Sequence, residues 1–207
     1  MSLWIKLLLI CAAWIAEGAS GAAIAQAAPL HQAAGPSVER VAVASRAGAS
    51  LDTNLLMGGG SDDTVILQRL LDRGADGKGF HLMVDGAALV SGLVVYGKTT
   101  IECTGGGGFY LKDGSLGAVI RNAHRSREAI VDEHIQIRGC FINGNRKGQP
   151  RSLAPEKSFF QYVQEADRTF RSGLQFFGVR YLTIDDVTLW NVHGFHSWIA
   201  NAKFISI

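Results

Sequence analysis

One stretch of the chain repeats another at a fixed distance. Gly173-Leu-Gln-Phe-Phe-Gly-Val-Arg-Tyr-Leu-Thr-Ile184 lies over His196-Ser-Trp-Ile-Ala-Asn-Ala-Lys-Phe-Ile-Ser-Ile207, an offset of 23 residues. Phe176 then matches Ile199, Arg180 matches Lys203, Tyr181 matches Phe204, Leu182 matches Ile205 and Ile184 matches Ile207. A second echo sets Ile135-x-Ile137-x-x-Cys140-x-Ile142 against Leu182-x-Ile184-x-x-Val187-x-Leu189, 47 residues apart. That distance is two turns of 23 plus one residue. It admits one irregular coil over 145–172, or a long loop on the side of a stack. A period of 23 with short strands fits a leucine-rich repeat or a parallel β-helix. Leucine-rich repeats want L-x-x-L-x-L and a leucine-dominated interior. Here the inward positions are Ile, Val, Phe, Cys and Leu in strand pairs with a sharp bend between them. The chain therefore reads as an all-β solenoid, a parallel β-helix.

Local signals agree with that reading. Short apolar runs, Phe80–Val84, Leu89–Tyr96, Thr99–Cys103, Gly108–Leu111, Leu116–Ile120, Ile135–Ile142, Leu174–Leu189 and Trp198–Ile207, are separated by Gly, Asp and Asn, residues that accept turn geometry. The 25 glycines against four prolines suit tight turns better than a flexible linker. About four or five coils are expected from Phe80 to Ile207. Ahead of them, Ser61 can act as an N-cap, with Asp62 and Asp63 in the first turn. Val65, Ile66, Leu67, Leu70 and Leu71 follow at helical spacing, and Gly74 stops the run. This spacing predicts one amphipathic helix over Ser61–Arg73, placed to cap the first coil. Gln68, Arg69 and Asp72 are expected toward water or the rim. Residues 28–60 read as an N-terminal extension with a short strand over Val41–Ala44.

The first 27 residues read as a cleaved signal. Lys6 supplies the positive end, Leu7–Ala16 the apolar stretch, and Ala25-Gln26-Ala27 a small-x-small cleavage site. Ten apolar residues ended by Glu17 are too short for the ~20 that a membrane span needs. No transmembrane anchor after cleavage and a secreted or periplasmic location are expected. Cys11 falls inside the signal, leaving Cys103 and Cys140. Each sits in a strand-like run, where a small buried side chain is the ordinary reading, although an oxidising compartment permits one bridge. Neither has a second ligand at short spacing, so no metal site is expected. A net charge of +2, from 20 Lys plus Arg against 18 Asp plus Glu, gives no bulk-charge case for nucleic acid. The chain stops inside a strand pair at Ile205-Ser206-Ile207, which reads as the N-terminal part of a longer protein.

Three stretches resemble the pectate lyase superfamily of right-handed parallel β-helix proteins, in particular its polygalacturonase-like and rhamnogalacturonase-like glycoside hydrolases. Ser61-Asp62-Asp63-Thr64-Val65-Ile66-Leu67-Gln68 is similar to the Asp-Asp-Thr-x-x-x-Gln stretch that opens the capping helix there. Ile137-Arg-Gly-Cys-Phe-Ile-Asn-Gly-Asn145 is similar to its strand-Asp-Gly-Asn turn, with Asn143 in place of the Asp. Tyr181-Leu-Thr-Ile-Asp-Asp-Val-Thr-Leu-Trp-Asn191 is similar to its recurring coil. The resemblance implies a right-handed coil and a secreted monomer acting on acidic, pectin-like polysaccharide by glycosidic hydrolysis. The alternatives are a lyase or epimerase, the only case that would call for Ca²⁺, or a non-catalytic adhesin or carbohydrate-binding protein. The family's catalytic carboxylates and calcium-binding aspartates lie in later coils, so no catalytic motif carries over and the chain by itself is expected to be inactive.

The residues offer weaker candidates. Asp185 and Asp186 form a carboxylate pair, yet adjacent Asp residues are ordinary turn formers that point different ways, while an inverting hydrolase needs about 6.5–9.5 Å between carboxyls facing one bond. His193 and His196, three apart, could meet a sugar carboxylate or make only local hydrogen bonds. Trp190 and Trp198 could stack on sugar faces, or Trp198 could pack on Phe176 or Phe177. Arg146, Lys147, Arg151 and Arg171 could attract an acidic polysaccharide, or be neutralised by Glu156 and Glu165. The segment 146–171, which carries most of these charges, is expected to project from the stack. Gly105–Gly108 is not a phosphate loop, because no Lys-Ser/Thr or helix follows.

Overall fold

The computed structural model describes residues 40–115, 117–149 and 172–207, all within the compact unit Ser37–Ile207. The signal segment 1–27 and most of the 146–171 segment, including Arg151 and Arg171, lie outside them. So does the part of the extension 28–60 that precedes Arg40.

The strands of each sheet pair only in parallel. Sheet one contains β1 (Val41–Val43), β2 (Phe80–Val84), β5 (Thr99–Cys103), β8 (Asp132–Arg138), β11 (Val179–Asp185) and β14 (Lys203–Ser206). Sheet two contains β3 (Ala87–Val90), β6 (Gly108–Leu111), β9 (Phe141–Asn143) and β12 (Thr188–Trp190). Sheet three contains β4 (Leu93–Val95), β7 (Ile120–Asn122), β10 (Ser172–Phe177) and β13 (Phe195–Ala200). The chain visits the sheets in the order one, two, three and back, so each circuit is a coil, and strands of one sheet stack coil on coil. This is a parallel β-solenoid with four complete coils, β2 to β13, flanked by β1 and β14.

The register is the one the echoes imply. Phe176 pairs with Ile199, Arg180 with Lys203 and Leu182 with Ile205. Leu182 also pairs with Ile135, Ile184 with Ile137, and Leu189 with Ile142. β8 and β11 are therefore immediate neighbours. The 47-residue distance is one coil, not two, and its surplus lies in the β9–β10 connection over 144–171. Earlier coils differ again in length: Phe80 pairs with Thr99, and Ile101 with Ile137. What stays constant is the inward column. Leu82, Ile101, Ile137 and Ile184 stack in sheet one, and Leu93, Ile120 and Leu174 in sheet three, all buried. Each such aliphatic side chain stabilises the stack by roughly 1.5–3 kcal/mol through burial.

Two local expectations change. Cys103 and Cys140 are not independent buried thiols; they form a disulfide between the second and third coils. The helix α1 spans Thr64–Leu71, shorter than Ser61–Arg73, and continues as a 3-10 turn over Asp72–Gly74. Ser61 does not cap it, because its backbone N–H and hydroxyl both donate to Asp52, at 2.7 and 3.0 Å. The Asp62 carboxylate accepts from the Thr64 N–H at 3.0 Å instead. Asp63 is drawn into tertiary structure, accepting from the N–H groups of Ser50 and Leu51 at 2.7 and 2.9 Å. Leu67 and Leu71 face the core, whereas Val65 is 67% exposed. Gln68 does not point to water. Its amide accepts from Val94 N–H at 2.8 Å and donates to Val94 C=O at 3.1 Å. Thr64 Oγ1 accepts from Ser91 N–H at 2.7 Å. The helix thus bonds to the outer edge of the first coil, where no further strand of sheet three pairs among the described residues.

Candidate functional site

The corner between sheets two and three carries connections of unequal length: 91–92, 112–119, 144–171 and 191–194 in successive coils. Connections of adjacent coils leave this corner side by side, so residues distant in sequence meet there. A cavity of about 470 Å³ opens at it, lined by Arg146, Lys147, Gln149, Asn191 and His193. Arg146, Lys147 and His193 are among the residues that the sequence offers as candidates for an acidic ligand. The fold gathers them from two coils.

A buried amide network sets their positions. Asn143, at the end of β9, donates to Leu55 C=O at 2.8 Å and accepts from Asn145 N–H at 2.8 Å and from the Asn191 side-chain amide at 3.3 Å. Asn145 adopts a left-handed backbone (φ 44°), a conformation Asn accepts more readily than most residues. Its side chain donates to Leu111 C=O and Asp113 Oδ1, at 2.9 and 2.6 Å, and accepts from Gly148 N–H at 3.1 Å. The Arg146 N–H donates to Asn191 C=O at 2.8 Å. The backbone under Arg146 and Lys147 is therefore pinned on both sides while their side chains stay exposed. Gln149 is buried; its Nε2 donates to Lys112 C=O at 3.0 Å, and its Oε1 has no partner among the described residues. An unpaired buried acceptor costs about 1–3 kcal/mol.

The remaining candidates sit elsewhere. Asp185 and Asp186 are both exposed in the turn from sheet one to sheet two, and Asp186 has φ 49°. The Asp185 carbonyl accepts from Gly139 N–H at 3.0 Å. They behave as turn formers and do not line the cavity. Trp190 ends β12, 56% exposed, and pairs in register with Asn143 beneath the site. His196 is exposed on β13 and does not share the lining with His193. Trp198 packs edge-on against Phe177 (centroids 5.0 Å apart), with the Arg127 guanidinium 5.3 Å from its ring. Sequence reasoning missed Gln149 and Asn191. The signal for Asn191 was available: it follows the Thr188–Trp190 strand as Gly144 and Asn145 follow its partner Phe141–Asn143.

Among the described residues no group of three His, Cys, Asp or Glu could hold a metal ion, and no helix is long and apolar enough to cross a membrane. Comparison of the chain with protein-family models, with curated proteins and with solved structures found no match.

Proposed function

We propose that the chain binds an acidic, pectin-like polysaccharide at the corner between sheets two and three, as a secreted carbohydrate-active protein of the pectate lyase superfamily. The observation that carries this reading is the convergence of Arg146, Lys147 and His193 with the amides of Asn191 and Gln149 in one open cavity. Cations recognise the uronate carboxylates, and amides take sugar hydroxyls. In this reading the solenoid is right-handed, as the resemblance implies, and α1 is its N-terminal cap. Support for the cap is the Gln68 clamp on Val94, which meets the hydrogen-bonding needs of an edge strand. Secretion is supported by the signal-like N-terminus and by the Cys103–Cys140 disulfide, since such bonds persist in oxidising compartments. The described cavity residues include no carboxylate, so glycosidic hydrolysis, the activity the resemblance favours, would draw its acid and base from other residues.

Affinity for polygalacturonate, measured by calorimetry on the full chain, tests the reading. Arg146→Ala with Lys147→Ala should weaken binding at least tenfold, the size of one lost charge-assisted hydrogen bond of about 1.5–3 kcal/mol. Binding should also weaken as salt rises. Equal affinity for a neutral galactan, or a double variant that binds as tightly as the parent, would overturn it. Reducing-end release in the same samples reports whether hydrolysis accompanies binding.

A further inference from the structure

A second cavity, of about 260 Å³, lies at the corner from sheet three back to sheet one. It is lined by Tyr96, Gly97 and Lys98 from the β4–β5 connection, by His124, Val131, Asp132 and Glu133, and by the turn after α1. Asp132 holds it together. Its carboxylate is only 4% exposed, and one oxygen accepts from the Asn122 side-chain amide at 2.9 Å and from His124 N–H at 3.1 Å. The other oxygen faces His124 Nδ1 at 3.0 Å. In the neutral imidazole, a carboxylate facing Nδ1 places the proton there and leaves the lone pair on Nε2. The ring itself is largely exposed. Asn122 locks the carboxylate in turn, donating also to His124 C=O at 2.8 Å and to Phe177 C=O at 3.0 Å, and accepting from Phe177 N–H at 3.0 Å. A base oriented by a buried carboxylate, itself held by hydrogen bonds, is the arrangement that general-base catalysis needs.

We propose that His124, oriented by Asp132, is the general base of a site that hydrolyses short acyl esters, with Lys98 offsetting charge on the acyl oxygen. The chemistry of the lining selects this reaction. Among the described residues no Ser, Thr or Cys lines the cavity. The Tyr96 hydroxyl donates to Asp72 at 3.2 Å, and burial with the Asp72 carboxylate pushes it up from its ordinary value; water is therefore the nucleophile. Glu133 is engaged by Arg180 Nε and Nη2, at 2.9 and 2.5 Å, which leaves no carboxylate pair for a glycosidic bond. Nε2 takes a proton from water as the water oxygen bonds to the acyl carbon. The C–O bond to the alcohol then breaks, and the proton passes from Nε2 to the alcohol oxygen, giving one acid and one alcohol. Among the described residues, the charged and titratable groups that line the cavity with His124 are Asp132 and Glu133 on β8 and Lys98 and Tyr96 on the β4–β5 connection, with Asp72 and Arg121 acting on Tyr96.

Hydrolysis of 4-nitrophenyl acetate by the full chain tests this. General-base assistance is worth about 10²–10⁴ in rate, so release should exceed that of equimolar 4-methylimidazole at least a hundredfold. His124→Gln should remove about 99% of it, and His134→Gln none. ¹⁵N NMR gives a readout independent of turnover: above pH 8 the His124 ring should carry its proton on Nδ1. A native rate equal to the 4-methylimidazole rate, full activity in His124→Gln, or a ring protonated on Nε2 would each overturn the proposal.

Discussion

Removing the disulfide should weaken the stack by an amount the fold allows to be worked out. Cys103 and Cys140 are 37 residues apart, and that loop contains β6, β7 and β8. Opening it in the unfolded chain restores loop entropy worth about 3.8 kcal/mol at 25 °C. Cys103→Ala with Cys140→Ala also takes two buried sulfur atoms out of the core, each comparable to a methylene at about 0.8 kcal/mol. A loss of about 5.4 kcal/mol follows. With a urea slope of about 2 kcal/mol per M, the midpoint should fall by about 2.7 M. Alanine is preferred to serine, because two buried hydroxyls would add a desolvation cost of their own. Far-UV circular dichroism follows the whole stack, while fluorescence of Trp190 and Trp198 follows the fourth coil. Repeat stacks can unfold in pieces, so a smaller shift by fluorescence than by dichroism would mean that the bridge stabilises the second and third coils locally. A shift below about 0.5 M by both probes would refute the reasoning.

Two further substitutions probe the surface and the strand spacing. The Arg40 guanidinium, with a second hydrogen bond from Lys78 N–H, holds the Asp76 carboxyl down at about 2. A depressed folded-state value contributes stability above the unfolded value near 3.9, lost as pH falls toward 2; Asp76→Asn should therefore lower the urea midpoint at pH 6 but not at pH 2, and equal effects at both would count against the pair. A Cβ at Gly108 would lie 1.9 Å from Phe141 C=O, so Gly108→Ala should cost about 3 kcal/mol or more by forcing β6 and β9 apart. Gly105, in open space at φ +62°, should cost only about 1 kcal/mol as alanine, and urea melts of the two variants side by side test the difference.

How much was legible from sequence depended on whether a feature repeats at constant spacing. The steps of 23 and 47 residues could be seen because β8, β11 and β14 carry similar Ile-x-Ile, Leu-x-Ile and Phe-Ile-Ser-Ile runs, and the paired residues came out in register. The pairing of Ile101 with Ile137 could not be seen, because the connections inside that coil lengthen at both corners. For the same reason the disulfide stayed open: 37 residues matches no visible period. The site followed the same rule. Arg146, Lys147 and His193 could be flagged as isolated charges, but their meeting depends on two connections of different length leaving one corner. Asp63 and Gln68 looked like first-turn charge and solvent face. Their partners, Ser50, Leu51 and Val94, are brought to them only by tertiary structure.

One recurring element escaped sequence reading because its constant is a backbone angle. Gly79 and Lys98, just ahead of β2 and β5, and His134, Tyr181 and Phe204, in β8, β11 and β14, occupy equivalent places in successive coils of sheet one, with φ of 89°, 62°, 56°, 56° and 55°. Left-handed backbone costs a non-glycine residue about 1–2 kcal/mol, and four of the five are not glycine. The last three offset that cost with their rings. His134 stacks on Tyr181 at 4.6 Å and Tyr181 on Phe204 at 5.0 Å, with planes within 16° and 11°. Each such pair contributes about 0.5–1.5 kcal/mol beyond burial, the same order as the strain at one position. The kink keeps the rings in line, and the rings make the kink tolerable. A strand-to-strand spacing near 4.8 Å is also close to a comfortable spacing for stacked rings, so the solenoid turns a strained corner into an aromatic ladder without any shared residue type.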